Sequence, residues 1–415
     1  MLQTPTARRS ALRVPAFRRY FLASVFSTFG LWIMRFLLGW SAWSLTESAF
    51  WVGLVSATML LPTFVLSPVF GVVADRIRLR QGLLSTTFSL GVLGALTAAI
   101  WFTGWLDIYW LLLIALAKGM IMAAHHPMRL SMLPNLIERA LLPSGIGLSA
   151  MIFNLSRILG PAAAAGLLTL TSTGAVFTLS ALLFFCGTAF LLRIPDVAAT
   201  GEKTEASLLT DLGQGMVFAL STPTIRVILL LATLNGLLGR AIIELLPALS
   251  GQLLDGTANT LAMLTALAGV GSILGALFIS RQRGSEARLI NLVLITLLGT
   301  SLLLYPLLLW QSLPLVAAMI LLLALTMTIA GTGCQAMVQL SVSDEYRGRV
   351  LSLWTVITMG MPAIGAFVLG ALADRFGFPV VLPLMATAVA AALLWLAPAR
   401  RLWRVRQDDA TTDKT

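Results

Sequence analysis

The sequence predicts an all-α membrane protein with twelve transmembrane helices in two pseudo-symmetric six-helix bundles. Three observations carry that prediction: scarce charge, the number of apolar runs, and a one-sided distribution of Lys and Arg. Only 11% of the 415 residues are charged while 58% are hydrophobic, and the mean hydropathy is +0.92. A soluble domain needs about 25% charged residues to cover its core, so a soluble multidomain protein is excluded. Twelve spans of about 20 residues each would leave only short connections, which matches the supply of polar residues.

The runs themselves fall near 21–45, 51–74, 82–103, 108–128, 145–170 and 174–193, then near 225–249, 258–280, 288–310, 314–337, 350–372 and 379–397. The domain organisation expected from them has five parts. A cytoplasmic N-terminal segment occupies 1–20, and the first six-helix bundle 21–193. A cytoplasmic linker follows at 194–224, the second bundle at 225–398 and a cytoplasmic tail at 399–415. The basic start of the chain looks like the first region of a signal peptide. The apolar stretch behind it is too long for one, and more spans follow where a cleavage site would stand. The segment is therefore expected to be retained. In the linker, Leu208, Leu209, Leu212, Met216 and Phe218 recur at helical spacing, the pattern of an amphipathic helix lying on a bilayer.

Orientation follows from the basic residues. With the N-terminus inside, 23 of the 28 Lys and Arg fall in inner segments, and one, Arg375, falls outside. The remaining four, Arg35, Lys118, Arg157 and Arg240, lie within spans. A bias of this size places both termini in the cytoplasm and requires an even number of spans. Trp40, Trp43, Trp51, Trp101, Trp105, Trp110 and Trp310 gather at the expected outer ends, as an interfacial aromatic belt does. The net charge of +11 is therefore a topology signal. Nucleic-acid binding, which needs a basic solvent face, is not expected. Both cysteines, Cys186 and Cys334, sit inside apolar runs, so no disulfide framework is implied.

Two sets of six spans suggest duplication. Setting Gly147 on Gly348 places Pro161 on Pro362, and VFGVVADRIRLRQ around Gly71 pairs in order with ILGALFISRQRG around Gly275. Two related halves imply a binding site between them, near the midplane.

The loop after the second span reads GVVADRIRLR. Gly71 allows close helix approach, Asp75 is able to accept from Arg or face a helix N-terminus, and Arg76, Arg78 and Arg80 lie at the inner surface. This G-x-x-x-D-R-x-x-x-R pattern resembles the signature of the major facilitator superfamily. Further segments, such as SLTESAFWVGLVSATMLLPTFVLSPVFGVVADR and DEYRGRVLSLW, are similar to the branch containing macrolide-efflux proteins and the enterobactin exporter. The likeness runs from about Phe17 to Pro398. It implies that Gly71, Asp75, Arg76 and Arg80 form a latch controlling the switch between inward-facing and outward-facing states. It also implies that Gly160-Pro161 is the Gly-Pro element of antiporters, a helix-packing feature of the fifth span. One departure matters. Members of this branch often carry an acid after the glycine near the middle of the first span, but here Leu31 follows Gly30, so no proton role carries over to that position.

Charges in a membrane core are expensive and must face protein or water. At the helical rise of 1.5 Å per residue, Arg35 lies about 21 Å from the inner face, and Arg240 and Glu244 about 20 and 26 Å. Lys118 and Arg157 fall near the midplane. Arg35 and Glu244, on counterpart spans, are placed to meet as an outer gate. Glu244 is the only acid well inside a span, and two readings of it stand. It carries protons, since desolvation in general favours a neutral carboxyl, or it forms a fixed ion pair with Arg240 one turn away.

Lys118, Met122, His125 and Arg129 share one face of the fourth helix, and Asn154, Arg157 and Pro161 share one face of the fifth. The expected substrate and proton pathway therefore comprises Arg35, Lys118, His125, Asn154, Arg157, Asn235, Arg240 and Glu244. Four embedded bases against one acid favour an anionic or metal-chelating acidic solute. The alternative is that the bases cap carbonyls at kinks or snorkel. His125-His126 points its rings about 100° apart along a helix and has no nearby ligand in sequence, so no metal site is expected. With no phosphate-cradling loop and no catalytic motif, neither a cofactor nor an enzyme activity is expected. The function read from the sequence is a proton-coupled exporter of a small organic metabolite or drug, working as a monomer in the cytoplasmic (inner) membrane by alternating access. The rivals are a multidrug or macrolide pump, a solute-uptake or lipid-flipping transporter, and a membrane-embedded enzyme or sensor.

Overall fold

The apolar runs fold as helices bounded by the turn residues around them. The computed structural model describes residues 10–195, 217, 220–282, 286–309, 311–342, 344–396 and 398, and among these all regular structure is helical. The expected amphipathic linker helix and the tail at 399–415 lie outside the described residues.

The first half contains α1 (Pro15–Thr46), α2 (Ala49–Arg76), α3 (Leu79–Phe102), α4 (Ile108–Met132), α5 (Leu142–Leu168) and α6 (Thr173–Leu191). Side chains in the connections start several of these helices. Asp107 accepts from the Trp110 amide at 2.8 Å to open α4, and Ser172 accepts from the Ala175 amide at 3.3 Å to open α6. Both are N-cap contacts that satisfy an otherwise orphaned amide.

The seventh run departs from the single span expected. It folds as α7 (Pro223–Asn235), a π-helical turn (Gly236–Arg240), α8 (Ala241–Glu244) and α9 (Leu246–Leu254). A π turn bonds i to i+5, and Leu245 leaves the helical region just before Pro247, which has no amide to continue the ladder. The π turn rotates the residues after it, while the depths of Arg240 and Glu244 along the Pro223–Glu244 span change by only about one residue's rise. The second half continues with α10 (Ala258–Ser280), α11 (Glu286–Leu302), α12 (Leu313–Ser341), α13 (Asp344–Phe376) and α14 (Phe378–Leu396). The ninth run also ends early, in a 3₁₀ turn over Tyr305–Leu308. Among the described residues, eleven helices are long and apolar enough to cross a membrane, and a further apolar stretch, Ala49–Thr63, lies inside α2.

The described residues group into two compact units: Met1–Ser41 with Val65–Thr204, and Ala42–Phe64 with Glu205–Thr415. In the first unit α3 packs against α4 and α6, and a core of Phe17, Tyr20, Leu79, Met128 and Met132 closes one end. In the second, α12 is the central helix, with α10 and α11 against it.

Candidate functional site

Within the first unit, cations and aromatic rings alternate across three helices. The Arg35 guanidinium lies over the Trp32 ring at 5.5 Å on α1, and Trp32 meets Phe153 of α5 edge-on at 5.6 Å. The Arg129 guanidinium of α4 lies 5.6 Å from the centre of that Phe153 ring. Each cation–ring contact is worth about 0.5–2 kcal/mol depending on desolvation, so the string helps to hold both guanidinium groups in place.

Lys118 of α4 is only 2% exposed, and His125, two turns further on, is 7% exposed. His125 Nδ1 lies 3.1 Å from the Thr86 hydroxyl of α3, which itself donates to the Gly82 carbonyl at 2.8 Å. The two groups share one hydrogen bond, with His125 Nδ1 donating when it carries the proton and accepting from the Thr86 hydroxyl when it does not. Tyr20 donates its hydroxyl to the Arg129 carbonyl at 3.0 Å, satisfying one of the last carbonyls of α4. Tyr20, Ser24, Thr87, His125 and Arg129 line a cavity of about 10 Å³, the room of one water molecule. On α5, Arg157 is half-buried and the Asn154 amide donates to the Ala150 carbonyl of its own helix at 2.9 Å.

In the second unit Asn235 is 6% exposed at the last position of α7, where the π turn begins. Its amide nitrogen donates to the Met327 carbonyl of α12 at 3.3 Å, while Oδ1 is buried with no hydrogen-bond partner among the described residues. Arg240 is exposed and Glu244 is half-buried. Arg35 and Glu244, expected to meet as a gate, belong to different units.

Of the expected latch, Gly71, Asp75 and Arg76 end α2, and their side chains lie outside the described residues. Arg80 has a definite partner: it donates to the Leu192 carbonyl at 2.6 Å and to the Leu191 carbonyl at 3.5 Å. Arg19 donates to the Arg193 carbonyl at 2.8 Å. Two guanidinium groups thus occupy the C-terminal end of α6, where unbonded carbonyls concentrate negative charge. Gly160 is buried where α5 crosses α1, and a Cβ there would stand 2.9 Å from that of Trp32. Pro161 follows it, inside α5.

Sequence reasoning missed Trp32, Phe153, Tyr20 and Thr86, because aromatic and hydroxyl residues inside apolar runs look like packing. Only Trp32, three residues before Arg35 on the same helix, carries a spacing signal, whereas Phe153, Tyr20 and Thr86 meet their partners across helices. Asp374 was also missed, because it stands at a span end beside a basic residue and was counted as loop.

The fold is that of the major facilitator transporters. The chain belongs to the family described as transmembrane secretion effector, whose model matches residues 6–414. It is 26% identical over 367 residues to the staphyloferrin A transporter of Staphylococcus aureus (strain NCTC 8325 / PS 47), covering 86% of this chain and 90% of that one. It is 23% identical over 336 residues to macrolide efflux protein A of Streptococcus pyogenes, covering 80% and 83%. Among solved structures, the nucleoside transporter NupG superposes with a TM-score of 0.74 at 14% identity, covering 92% of this chain and 98% of that one. The human organic anion transporter MFSD10 (TETRAN) gives 0.63 at 16% identity, covering 94% and 100%.

Proposed function

We propose that this transporter exports a small anionic organic solute, siderophore-like in chemistry, in exchange for protons and by alternating access. It works as a monomer in the cytoplasmic membrane with both termini inside. The observation that carries the reading is the surplus of embedded basic groups. Lys118 is 2% exposed, and Arg35 and Arg157 are half-buried, against one embedded acid, Glu244. Embedded positive charge of this kind attracts anions and repels lipophilic cations. The string Arg35–Trp32–Phe153–Arg129 adds flat rings beside the charges, which suits an acid with planar groups. Among the relatives, the staphyloferrin A transporter supports this solute class, while macrolide efflux protein A supports export of a small organic compound. Substrate exchange through Lys118, His125, Asn154, Arg157 and Asn235, with proton carriage at Glu244, completes the reading, and no catalytic step is assigned.

The test is transport by purified protein in proteoliposomes under an imposed pH gradient. Anionic chelators are expected to move with the gradient, and Lys118→Ala or Arg157→Ala to lower their flux by about tenfold or more, the scale of one lost charge contact of about 1.4 kcal/mol. Glu244→Gln is expected to leave binding intact and abolish proton-driven flux. Equal binding of anionic and cationic compounds, unchanged by either alanine, overturns the substrate class. Proton-driven flux persisting in Glu244→Gln overturns the carrier.

A further inference from the structure

The first two helices are joined by two residues, Glu47 and Ser48, and the start of α2 has no bonding partner for its first amides within its own helix. Those amides are fully accounted for. Ser48 Oγ accepts from the Trp51 amide at 3.4 Å and the Ser48 carbonyl accepts from Val52 at 3.3 Å. The first two are taken by a residue 325 positions away. Asp374 Oδ1 accepts from the Ala49 amide at 2.6 Å, and Oδ2 accepts from the Phe50 amide at 3.1 Å. The same carboxylate accepts from the Ser48 hydroxyl and, at 3.2 Å, from the Gln252 amide of α9. A carboxylate at a helix N-terminus meets both the free amides and the positive end of the helix dipole.

The packing beside this contact is equally specific. A Cβ on Gly370 would strike the Ala49 carbonyl, and one on Gly53 would strike the Ala366 carbonyl, so α2 and α13 touch backbone to backbone at two points. Gly370 precedes Asp374 by four residues, one helical turn on the same face. The glycine therefore admits the helix end that the acid then holds. The Phe50 and Phe367 rings meet at 5.5 Å, and Trp43 covers Gly251 next to Gln252. These contacts are why Ala42–Phe64 groups with Glu205–Thr415 while the rest of α1 and α2 does not. Gly370 and Asp374-Arg375 also repeat the G-x-x-x-D-R spacing of Gly71 and Asp75-Arg76.

We propose that Asp374 is a releasable clamp on the N-terminus of α2, positioning the α1–α2 corner against α13 and α9 when the transporter is closed at that end. On the orientation proposed above, that end is the outer face. The clamp rests on the alternating-access reading, since a rigid protein would have no need to release it. Two of its four partners are backbone amides and two are side chains, so the carboxylate and the close approach at Gly370 carry the contact together with Ser48 and Gln252. Arg375, whose guanidinium lies over Phe376 at 5.6 Å, takes no part.

The test follows accessibility, not transport, so it stands whatever the substrate is. Ala49 is fully buried under Gly370. In full-length protein carrying Cys186→Ser and Cys334→Ala, an Ala49→Cys reporter is labelled with a membrane-impermeant maleimide. Asp374→Ala is expected to speed labelling by about tenfold, the scale of a lost charge-assisted contact. Asp374→Glu is expected to restore part of the protection, and Arg375→Ala to change nothing. If Asp374→Ala does not assemble, Ser48→Ala with Gln252→Ala removes two donors, keeps the carboxylate, and is expected to give a smaller rise. Labelling unchanged in the variant that assembles overturns the clamp. Faster labelling in Asp374→Ala, with wild-type labelling unmoved by an imposed pH gradient, leaves Asp374 as a fixed cap and overturns its release, and with it the alternating-access reading.

Discussion

Arg80 of α3 donates to the carbonyl oxygen of Leu192 at 2.6 Å and so closes the C-terminal end of α6. Its position in the loop pattern shared with major facilitator proteins implies a switch element, but its observed bonds are those of a cap within one unit. Arg19 completes the arrangement at Arg193. A cap and a switch differ in what they do to stability.

Removing the Arg80 fork is expected to cost about 1–2 kcal/mol, since bonds from a charged donor are worth more than neutral ones. The thermal midpoint of the solubilised protein should fall by a few degrees in Arg80→Ala. Arg80→Lys should fall by less, because a point charge still meets the helix end but cannot span two carbonyls. A midpoint unchanged in Arg80→Ala, with transport lost, would return Arg80 to the switch.

Two glycines of α5 should respond in opposite directions. A Cβ at Gly160 would lie 2.9 Å from the Trp32 Cβ and 3.6 Å from the Ile33 amide, while at Gly166 it would meet nothing within 4 Å. Gly160→Ala is expected to destabilise by about 1–3 kcal/mol through overpacking. It should also disturb the Trp32 ring over which Arg35 lies. Gly166→Ala is expected to be neutral or to stabilise by up to about 1 kcal/mol, from helix propensity alone. Denaturation of the two variants side by side checks the contrast.

Much of the fold is legible in the sequence because a bilayer simplifies the problem: a span must be apolar and helical, and basic loops mark the inside. The helix limits follow from the same signals, as at Asp107 and Ser172, whose caps can be read directly from residue type. What is not legible is where a helix changes its register. The π turn at Gly236–Arg240 lies in a run as apolar as its neighbours, and Gly236, Gly239 and the later Pro247 hint at a break without specifying its kind. The site divides the same way. Charges such as Lys118 and Arg157 stand out in an apolar run, whereas Trp32 and Phe153 do not, and the contact between Asp374 and Ala49 spans 325 residues. No periodicity encodes that contact. Only the bare carboxylate at a span end marks it.

Asn235 provides the sharpest separation between packing and function. Its amide nitrogen bonds to the Met327 carbonyl at 3.3 Å, but that carbonyl belongs to the interior of α12, where the helix already supplies a partner. Its Oδ1 is buried with no partner among the described residues. A buried acceptor left unsatisfied costs about 1–3 kcal/mol, so replacing the whole amide with an apolar group of similar size should remove a penalty rather than add one. Asn235→Leu is therefore expected to leave the thermal midpoint unchanged or raise it by a few degrees. If the amide serves the solute, transport should fall sharply in the same variant while protein yield and oligomeric state stay constant. Asn235→Gln, which keeps the amide but moves it along the side chain, should restore only part of the transport. A loss of stability in Asn235→Leu matching the loss of transport would instead make Asn235 a structural bond between α7 and α12, and would remove it from the substrate pathway.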